Sequence, residues 1–197
     1  MKYAHIDILD GGLTALKTTA TKMLLVKTYA AADSYATVTG NKLAEVTMTG
    51  TDYTIGANGT GRKVTSASGK TATASAASNQ YDNGTATGGS TTTLTDSAKS
   101  WTTNVHANRA VTITSGTGSG QAGRIASNTG TALTIGTAWA VAPDATSVYR
   151  VTDDLHYVFT DGSARVLFVT DETTNQVITG GNPVNFPQLE YLSGQPV

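Results

Sequence analysis

The stretch LHYVFTDGSARVLFVTDE, residues 155–172, carries the clearest β-hairpin signal in the chain. Apolar residues alternate along both halves, and a turn signal, Thr-Asp-Gly-Ser at 160–163, separates them. Asp-Gly tolerates the positive φ of a tight turn at little steric cost. Both faces of each predicted strand carry apolar side chains, which is typical of strands covered on both sides. We therefore predict a hairpin in the middle of a sheet, against which the rest of the chain packs.

The composition is poor in charge. Of 197 residues only 14% are charged, against about 25% in an average soluble domain. We expect a chain of this kind to bury much of its polar surface, either in the hydrogen-bonded ladders of β-sheets or in the contacts of an assembly. Thirteen basic and fourteen acidic residues give a net charge of -1, which argues against a nucleic-acid partner. Cysteine is absent, which excludes disulfides, thiolate chemistry and cysteine-based zinc sites.

The N-terminal sequence has no apolar run of signal-peptide length, and no run in the chain approaches a membrane span. We expect synthesis in the cytoplasm and no membrane partner. Residues 1–10 are predicted to form an extended arm that ends at the Gly11-Gly12 break. One or two helical turns are predicted over 13–20, and no long helix is expected.

Short strands dominate the next part of the chain. Alternating apolar residues predict three strands and then a hairpin closed by Ser68-Gly69; the strands are 22–29, 43–48 and 52–55, and the hairpin pairs 64–67 with 71–76.

The amino-acid composition changes near residue 79. From there the chain is rich in Gly, Thr, Ser and Asn, and its predicted strands are short and separated by frequent turn signals. We interpret residues 81–152 as a β-module inserted into a surface loop of a host domain made of residues 1–80 and 153–197, since loop tips accept insertions at little cost. The strand at 71–76 is predicted to pair with the hairpin that opens at Leu155. The predicted fold is all-β: a β-sandwich or jelly-roll-like host with a small inserted β-barrel or sandwich.

Two groups of segments resemble phage proteins. The host segments DGGLTALKTTATKMLLVKTYA and DLHYVFTDGSARVLFVTDETTNQVITGGNPVNFP resemble a family of small virion proteins encoded beside the major capsid protein in tailed bacteriophages. Members of that family are taken to be head decoration, or cement, proteins. The inserted segments TTTLTDSAKSW, VTITSGTGSGQAGRIASNTGTALTIGTAW and PDATSVYRV are similar to a β-module that recurs in phage structural proteins.

The resemblance implies a non-enzymatic virion protein that binds the outer capsid surface and bridges adjacent capsid subunits. Its implied partners are the major capsid protein and further copies of itself, as a dimer or trimer. The arm and the proline-stiffened tail from residue 182 are predicted to reach neighbours by strand addition, through Lys2, Tyr3, His5, Pro183, Phe186 and Pro187. A tail, neck or fibre component of the virion, and a host-glycan-binding module displayed on the particle, remain open as alternatives.

The glycan alternative depends on three aromatic residues of the module, Trp101, Trp139 and Tyr149, which would form a sugar-stacking platform. The competing interpretation is that they form the core of the module, because its few aromatic side chains must supply most of the buried surface. We favour the core interpretation.

The remaining motifs predict neither catalysis nor a cofactor. The sequence GSGQAG at 118–123 fits the dinucleotide-binding pattern, but a strand follows where that pattern needs a helix, so we predict a hairpin turn. The glycine-rich stretch 56–63 is interpreted as a mobile loop. Asp153, Asp154 and His156 do not converge as three metal ligands on a strand, and we expect the two carboxylates to be solvated. No nucleophile-elbow sequence accompanies the histidines, so we do not expect an enzyme.

Overall fold

The computed structural model describes residues 4–194. Strand accounts for 41% and helix for 12% of the molecule, so the prediction of an all-β fold is confirmed. In chain order the elements are α1 (Ile6–Thr19), β1 (Lys22–Val26), α2 (Tyr35–Gly40), β2 (Lys42–Thr47), a 3₁₀ turn (Gly50–Asp52), β3 (Tyr53–Asn58), β4 (Gly61–Ser66), β5 (Lys70–Thr73), β6 (Gln80–Thr85), β7 (Gly88–Gly89), β8 (Thr93–Thr95), β9 (Ala110–Ser115), β10 (Ala122–Asn128), β11 (Ala132–Ile135), β12 (Val148–Thr152), β13 (His156–Thr160), β14 (Val166–Asp171), β15 (Pro183–Phe186) and β16 (Glu190–Ser193).

The predicted hairpin is β13 paired with β14, in an antiparallel sheet of order β14-β13-β1-β2. Every residue of β13 is buried, as the apolar character of both its faces predicts. The expectation that the whole hairpin lies in mid-sheet is wrong, because β14 is the edge strand and its residues 166–170 are only half-buried.

The predicted extended arm over residues 1–10 is wrong from Ile6 onward, where helix α1 begins; residues 1–3 of that prediction lie outside the described residues. The His5 side chain caps the helix by accepting a hydrogen bond from the backbone N–H of Asp7. Leu9 and Leu13, four residues apart, lie buried on one face. Gly11 and Gly12 lower helix propensity, but tertiary packing of this apolar face against the sheet outweighs their cost. An ion pair of 2.7 Å between Asp10 and Arg62 of β4 joins the helix to the sheet below it.

Three predicted strand connections in the host differ from the observed ones. β4 does not form a hairpin with β5: it pairs with β3 and β16, while β5 pairs with β15. The stretch 56–63 is therefore a β3–β4 hairpin and not a mobile loop. β5 also does not pair with the 155–172 hairpin, because β13 lies between β1 and β14. Sequence periodicity locates strands but carries little information about non-local partners.

The host core lies between the four-stranded sheet on one side and α1 with the smaller sheets on the other. Leu13 of the helix meets Leu25 and Phe159 of the sheet and Phe186 of the tail in one buried cluster. A second, smaller cluster lies on the opposite face of the same sheet, where Val38 of α2 covers its buried residues Leu24, Val26 and Val158. Both faces of β1 and β13 are therefore covered.

Strands β6 to β12 pair only with one another, in a seven-stranded antiparallel sheet of order β6-β12-β9-β10-β11-β8-β7. This sheet surrounds a core separate from that of the host, made of Ala86, Leu94, Val111, Ile113, Ile125, Leu133, Ile135, Trp139, Tyr149 and Val151. We call residues 79–152 the module and the remaining described residues the host. The 118–123 glycine pattern lies in the β9–β10 turn, with positive φ at Gly118 and Gly120, so the turn prediction is confirmed.

Candidate functional site

Among residues 4–194 no strand pairs with the side of β14 that faces away from β13, and this free edge is the most prominent candidate interaction surface of the host. Its sequence, VLFVTD, has four apolar residues in a row, and all four are half-buried. The backbone N–H of Glu172 donates to the Leu155 carbonyl at 2.8 Å, and Leu155 lies opposite Glu172 in the β13–β14 register. Hydrogen-bonding direction alternates along an antiparallel strand. The backbone groups of Val169 and Asp171 consequently point away from β13, toward the free edge.

Grooves flank β14 on both faces. One, of about 530 Å³, lies between β14 and the segment that carries Tyr29 and Tyr35. The other, of about 220 Å³, lies between Leu167 and Phe168 of β14, helix α1 and Tyr191 of β16. An edge strand with side-chain grooves on both faces is the arrangement that accepts an added strand, because main-chain bonds supply affinity and the grooves supply specificity.

The tip of the β13–β14 hairpin is fixed by one carboxylate. Asp161 accepts hydrogen bonds from the backbone N–H groups of Ser163, Ala164 and Arg165, and Gly162 has a φ of 81°. Its Oδ2 also accepts from Arg165 Nε at 2.9 Å. These donors favour the ionised form and hold the pKa of Asp161 far below its usual range. The tip is a preorganised turn, so the position of β14 does not depend on a mobile loop.

A second polar cluster lies where the chain crosses between host and module. The Asn79 N–H donates to Asp153 Oδ2 at 2.6 Å, the Asp153 N–H donates to the Asn79 carbonyl at 3.1 Å, and the Tyr81 hydroxyl donates to Asp153 Oδ1 at 2.8 Å. The Arg109 guanidinium lies 3.4 Å from the centre of the Tyr81 ring. These contacts join the segment that enters the module at Asn79 to the segment that leaves it at Asp153, and they fix the module relative to the host at this point.

The expectation that the carboxylates before β13 are solvated is wrong. Asp153 is 6% exposed and Asp154 is 4% exposed, and His156 beside them is also buried. Burial raises the pKa of Asp154, and the nearby His156 and Arg124 do not offset it. Within the described part of the chain the one ion pair of this carboxylate, at 3.5 Å, is with Arg124, whose side chain is 46% exposed and well solvated. Burial likewise raises the pKa of Asp171. Among residues 4–194 no three His, Cys, Asp or Glu residues are grouped to hold a metal ion.

The structure distributes the predicted contact residues of the termini over different environments. His5 is a helix cap, and Lys2 and Tyr3 lie outside the described residues. Pro183 and Pro187 are exposed, but Phe186 is 1% exposed and belongs to the host core. The part of the tail that the structure describes, 182–194, is not extended toward neighbours, because β15 and β16 pair with β5 and β4 of the same chain. Phe186 is therefore a packing residue and not an interface residue.

The three aromatic residues proposed as a sugar platform do not form one. Trp139 is 5% exposed and Tyr149 is 1% exposed, both within the module core, and Trp101 packs edge-on against Tyr149 with ring centres 6.5 Å apart. Trp101 also donates its indole N–H to Asp82, which accepts from Lys99 Nζ at 2.7 Å. The buried rings of Trp139 and Tyr149 offer no face for stacking on a sugar, and the half-buried Trp101 packs against the same core, so the structure favours the core interpretation.

Comparisons of the chain with protein-family models, curated proteins and solved structures find no match. Within the described residues, no helix is long and apolar enough to span a membrane.

Sequence reasoning missed the β14 edge and the buried Asp153 cluster. The edge has a sequence signal, since Arg165 and Asp171 bracket the apolar run in an otherwise charge-poor chain. The burial of Asp153 has none, because it depends on the module folding back against the host.

Proposed function

We propose that the protein is a non-enzymatic structural component of a tailed-phage particle that binds the outer capsid surface and bridges adjacent capsid subunits. Two properties of the sequence support this function. The host and module segments resemble virion proteins, and the low charge content suits a chain that hides polar groups within an assembly.

The structural observation that carries the proposal is the division into two β bodies with separate cores, which polar contacts join near the two chain crossings. A body with its own core can be displayed without contributing to the packing of the body that is anchored. In the proposed arrangement the host binds the capsid and the module faces outward, held in orientation by the Asp153 contacts.

Head stabilisation would arise from multiplicity. Each copy needs only a modest interface, because many symmetric copies act together on subunits that internal DNA pressure pushes apart. This mechanism requires no catalytic group. It requires a rigid host body and exposed surfaces for neighbours, of which the β14 edge is one.

A reconstitution experiment tests the proposal. Purified protein is added to heads that lack it, and bound protein is measured by sedimentation, followed by heating and measurement of DNA release. We expect saturable binding to heads and DNA release at a higher temperature than in undecorated heads. Binding to isolated tails with none to heads would contradict the proposal and favour the tail-component alternative.

A further inference from the structure

We propose that a groove on the host, about 670 Å³ in volume, binds a guanidinium group through the buried carboxylate of Glu172. Glu172 directly follows β14, and the residues that line the groove with it include Tyr157, Thr170, Asn185 and Phe186. A groove of this volume is large enough for a small ligand. The inference goes beyond the proposed function, since it concerns the protein in solution and requires no capsid.

The alternation of the strand directs the Glu172 side chain to the face of the sheet that borders the groove. Tyr157 lies opposite Thr170 in the β13–β14 register and packs in the host core with Phe186. The Glu172 N–H donates to the Leu155 carbonyl at 2.8 Å, so the pairing with the β13 side continues through Glu172. Side chains two residues apart on a strand share a face, which places Glu172 on the same face as Thr170. Burial and the neighbouring charge of Glu172 raise the pKa of Tyr157, in agreement with this placement.

The carboxylate of Glu172 is buried with one oxygen unsatisfied. Glu172 is 6% exposed. Its Oε1 accepts hydrogen bonds from the Thr174 backbone N–H at 3.1 Å and from the Thr174 hydroxyl at 2.7 Å. Its Oε2 has no hydrogen-bond partner within residues 4–194. A buried carboxylate costs free energy unless it is paired and hydrogen-bonded, so Oε2 favours a donor that carries positive charge.

The basic side chains of the described residues do not pair with this carboxylate, since none of their ion pairs includes Glu172. Two arginines of the module that reach the host are engaged elsewhere. Arg124 pairs with Asp154 at 3.5 Å, and Arg150 donates to the Asn175 carbonyl at 3.4 Å. Glu172 is therefore available for a cation that the described residues do not supply.

The lining of the groove favours a guanidinium group over an ammonium group. Phe186 is 1% exposed, and Pro187 and Leu189 add further apolar lining. A guanidinium is more weakly hydrated than an ammonium, so it loses less hydration on entering such a site. It also carries five N–H donors, and the side-chain amide oxygens of Asn185 and Gln176 in the groove can accept those that Glu172 does not.

The first test is a titration of the full chain with capped amino acids, followed by NMR of the backbone amides. The probes are arginine, lysine and citrulline, each with an acetylated amino group and an amidated carboxyl group. Citrulline has nearly the shape of arginine but no charge. We expect capped arginine to shift the Thr174 amide resonance saturably, with a millimolar dissociation constant. Capped lysine should bind more weakly, and capped citrulline about tenfold more weakly or worse, because a charge-assisted hydrogen bond is lost. No saturable shift, or equal affinities for arginine and citrulline, would overturn the proposal.

Glu172→Gln is the matched variant, because it removes the charge and keeps a side-chain oxygen for Thr174. It is expected to raise the dissociation constant of capped arginine by about tenfold or more. Glu190→Gln is the control, since it removes an exposed carboxylate that pairs with Lys63 on a different sheet, and it should bind as the native chain does. Asn185→Asp adds a carboxylate at an exposed position of the groove and should tighten binding, which keeps the site testable if Glu172→Gln does not fold. An affinity unchanged in Glu172→Gln or in Asn185→Asp would contradict the site.

Binding to heads distinguishes the two sources of the guanidinium group and is measured separately from the probe titration. If folded Glu172→Gln coats heads more weakly than Glu190→Gln, the group belongs to an arginine of a capsid subunit. Equal coating by the two variants assigns the groove to a free guanidinium compound. A native chain that binds capped arginine but does not coat heads refutes the proposed function alone, and one that coats heads without binding the probe refutes the site alone.

Discussion

At the scale of single residues, burial and not residue type decides what each polar or aromatic side chain does. Asp161 and Asp154 are both aspartates beside β13, yet the first fixes a turn with a strongly lowered pKa and the second is buried with a raised pKa. Phe186, predicted to contact a neighbour, packs in the core, and the exposed Pro187 follows it directly.

The pKa of Asp154 leads to a pH prediction. A group whose folded-state pKa is raised contributes stability below its ordinary pKa, and this contribution is lost as the pH rises through the raised value. Asp154→Asn should therefore raise the melting temperature at pH 7, with the difference from the native chain disappearing toward pH 4. The measurement is thermal unfolding by circular dichroism across this range.

Asp144 supplies the control of opposite sign, because hydrogen bonds from Thr146 and Thr117 lower its pKa. Asp144→Asn should lower the melting temperature at pH 7, and this effect should fade only as the pH falls below the ordinary pKa of an aspartate, through the lowered value. If Asp154→Asn also destabilises the protein at pH 7, the Arg124 contact outweighs burial and our account of this carboxylate is wrong.

Phe186 gives a prediction that distinguishes a side chain of the core from one that contacts a neighbouring subunit. Removing a fully buried phenylalanine side chain leaves a cavity, so Phe186→Ala is expected to lower the free energy of unfolding by about 3–5 kcal/mol. Pro187→Ala, one residue along and exposed, should change it by no more than about 0.5 kcal/mol. Denaturant unfolding measures both. An unchanged stability in Phe186→Ala would contradict its place in the core.

At the scale of elements, the sequence predicts strands well and their partners poorly. The hairpin of β13 and β14 and the strands of the module follow from alternation and turn residues over short distances. The pairing of β5 with β15 and of β4 with β16 joins segments more than a hundred residues apart, which no local pattern encodes. The helical turns predicted over 13–20 are the second half of α1, but its first half is predicted as an arm because Gly11 and Gly12 signal a break locally, whereas packing against β4 stabilises one continuous helix.

Helix α1 is therefore part of the host fold and not a detachable arm. Leu13→Ala should lower the free energy of unfolding by about 2–5 kcal/mol, since Leu13 is fully buried. Ile8, on the same helix but 73% exposed, is the matched site, and Ile8→Ala should cost at most about 0.5 kcal/mol. Equal effects of the two substitutions in denaturant unfolding would show that the helix does not pack as described.

At the scale of the whole molecule, two cores imply two folding units. The module buries its own leucines, isoleucines and aromatics and pairs its strands internally. We expect a fragment of residues 79–153 to unfold cooperatively on its own, with the near-ultraviolet signal of Trp101 and Trp139 intact. A fragment without fixed tertiary structure would show that the module depends on the host.

The crossing between the two bodies should control their orientation and not their folding. Asp153→Ala removes the acceptor of Asn79 and Tyr81, so we expect increased hydrogen exchange at residues 78–82 and 152–155 with both cores still protected. Loss of protection throughout the module would mean that the crossing is part of its core.

The central claim, that this chain is a capsid-bound structural protein, is tested most directly by its copy number. The measurement is the molar ratio of this protein to the major capsid protein in purified particles, by quantitative mass spectrometry. Our account predicts a ratio near one or a simple fraction of one, because a protein that binds the capsid lattice would be present in proportion to the capsid subunits. A handful of copies per particle would contradict it and place the protein in the neck, tail or fibres.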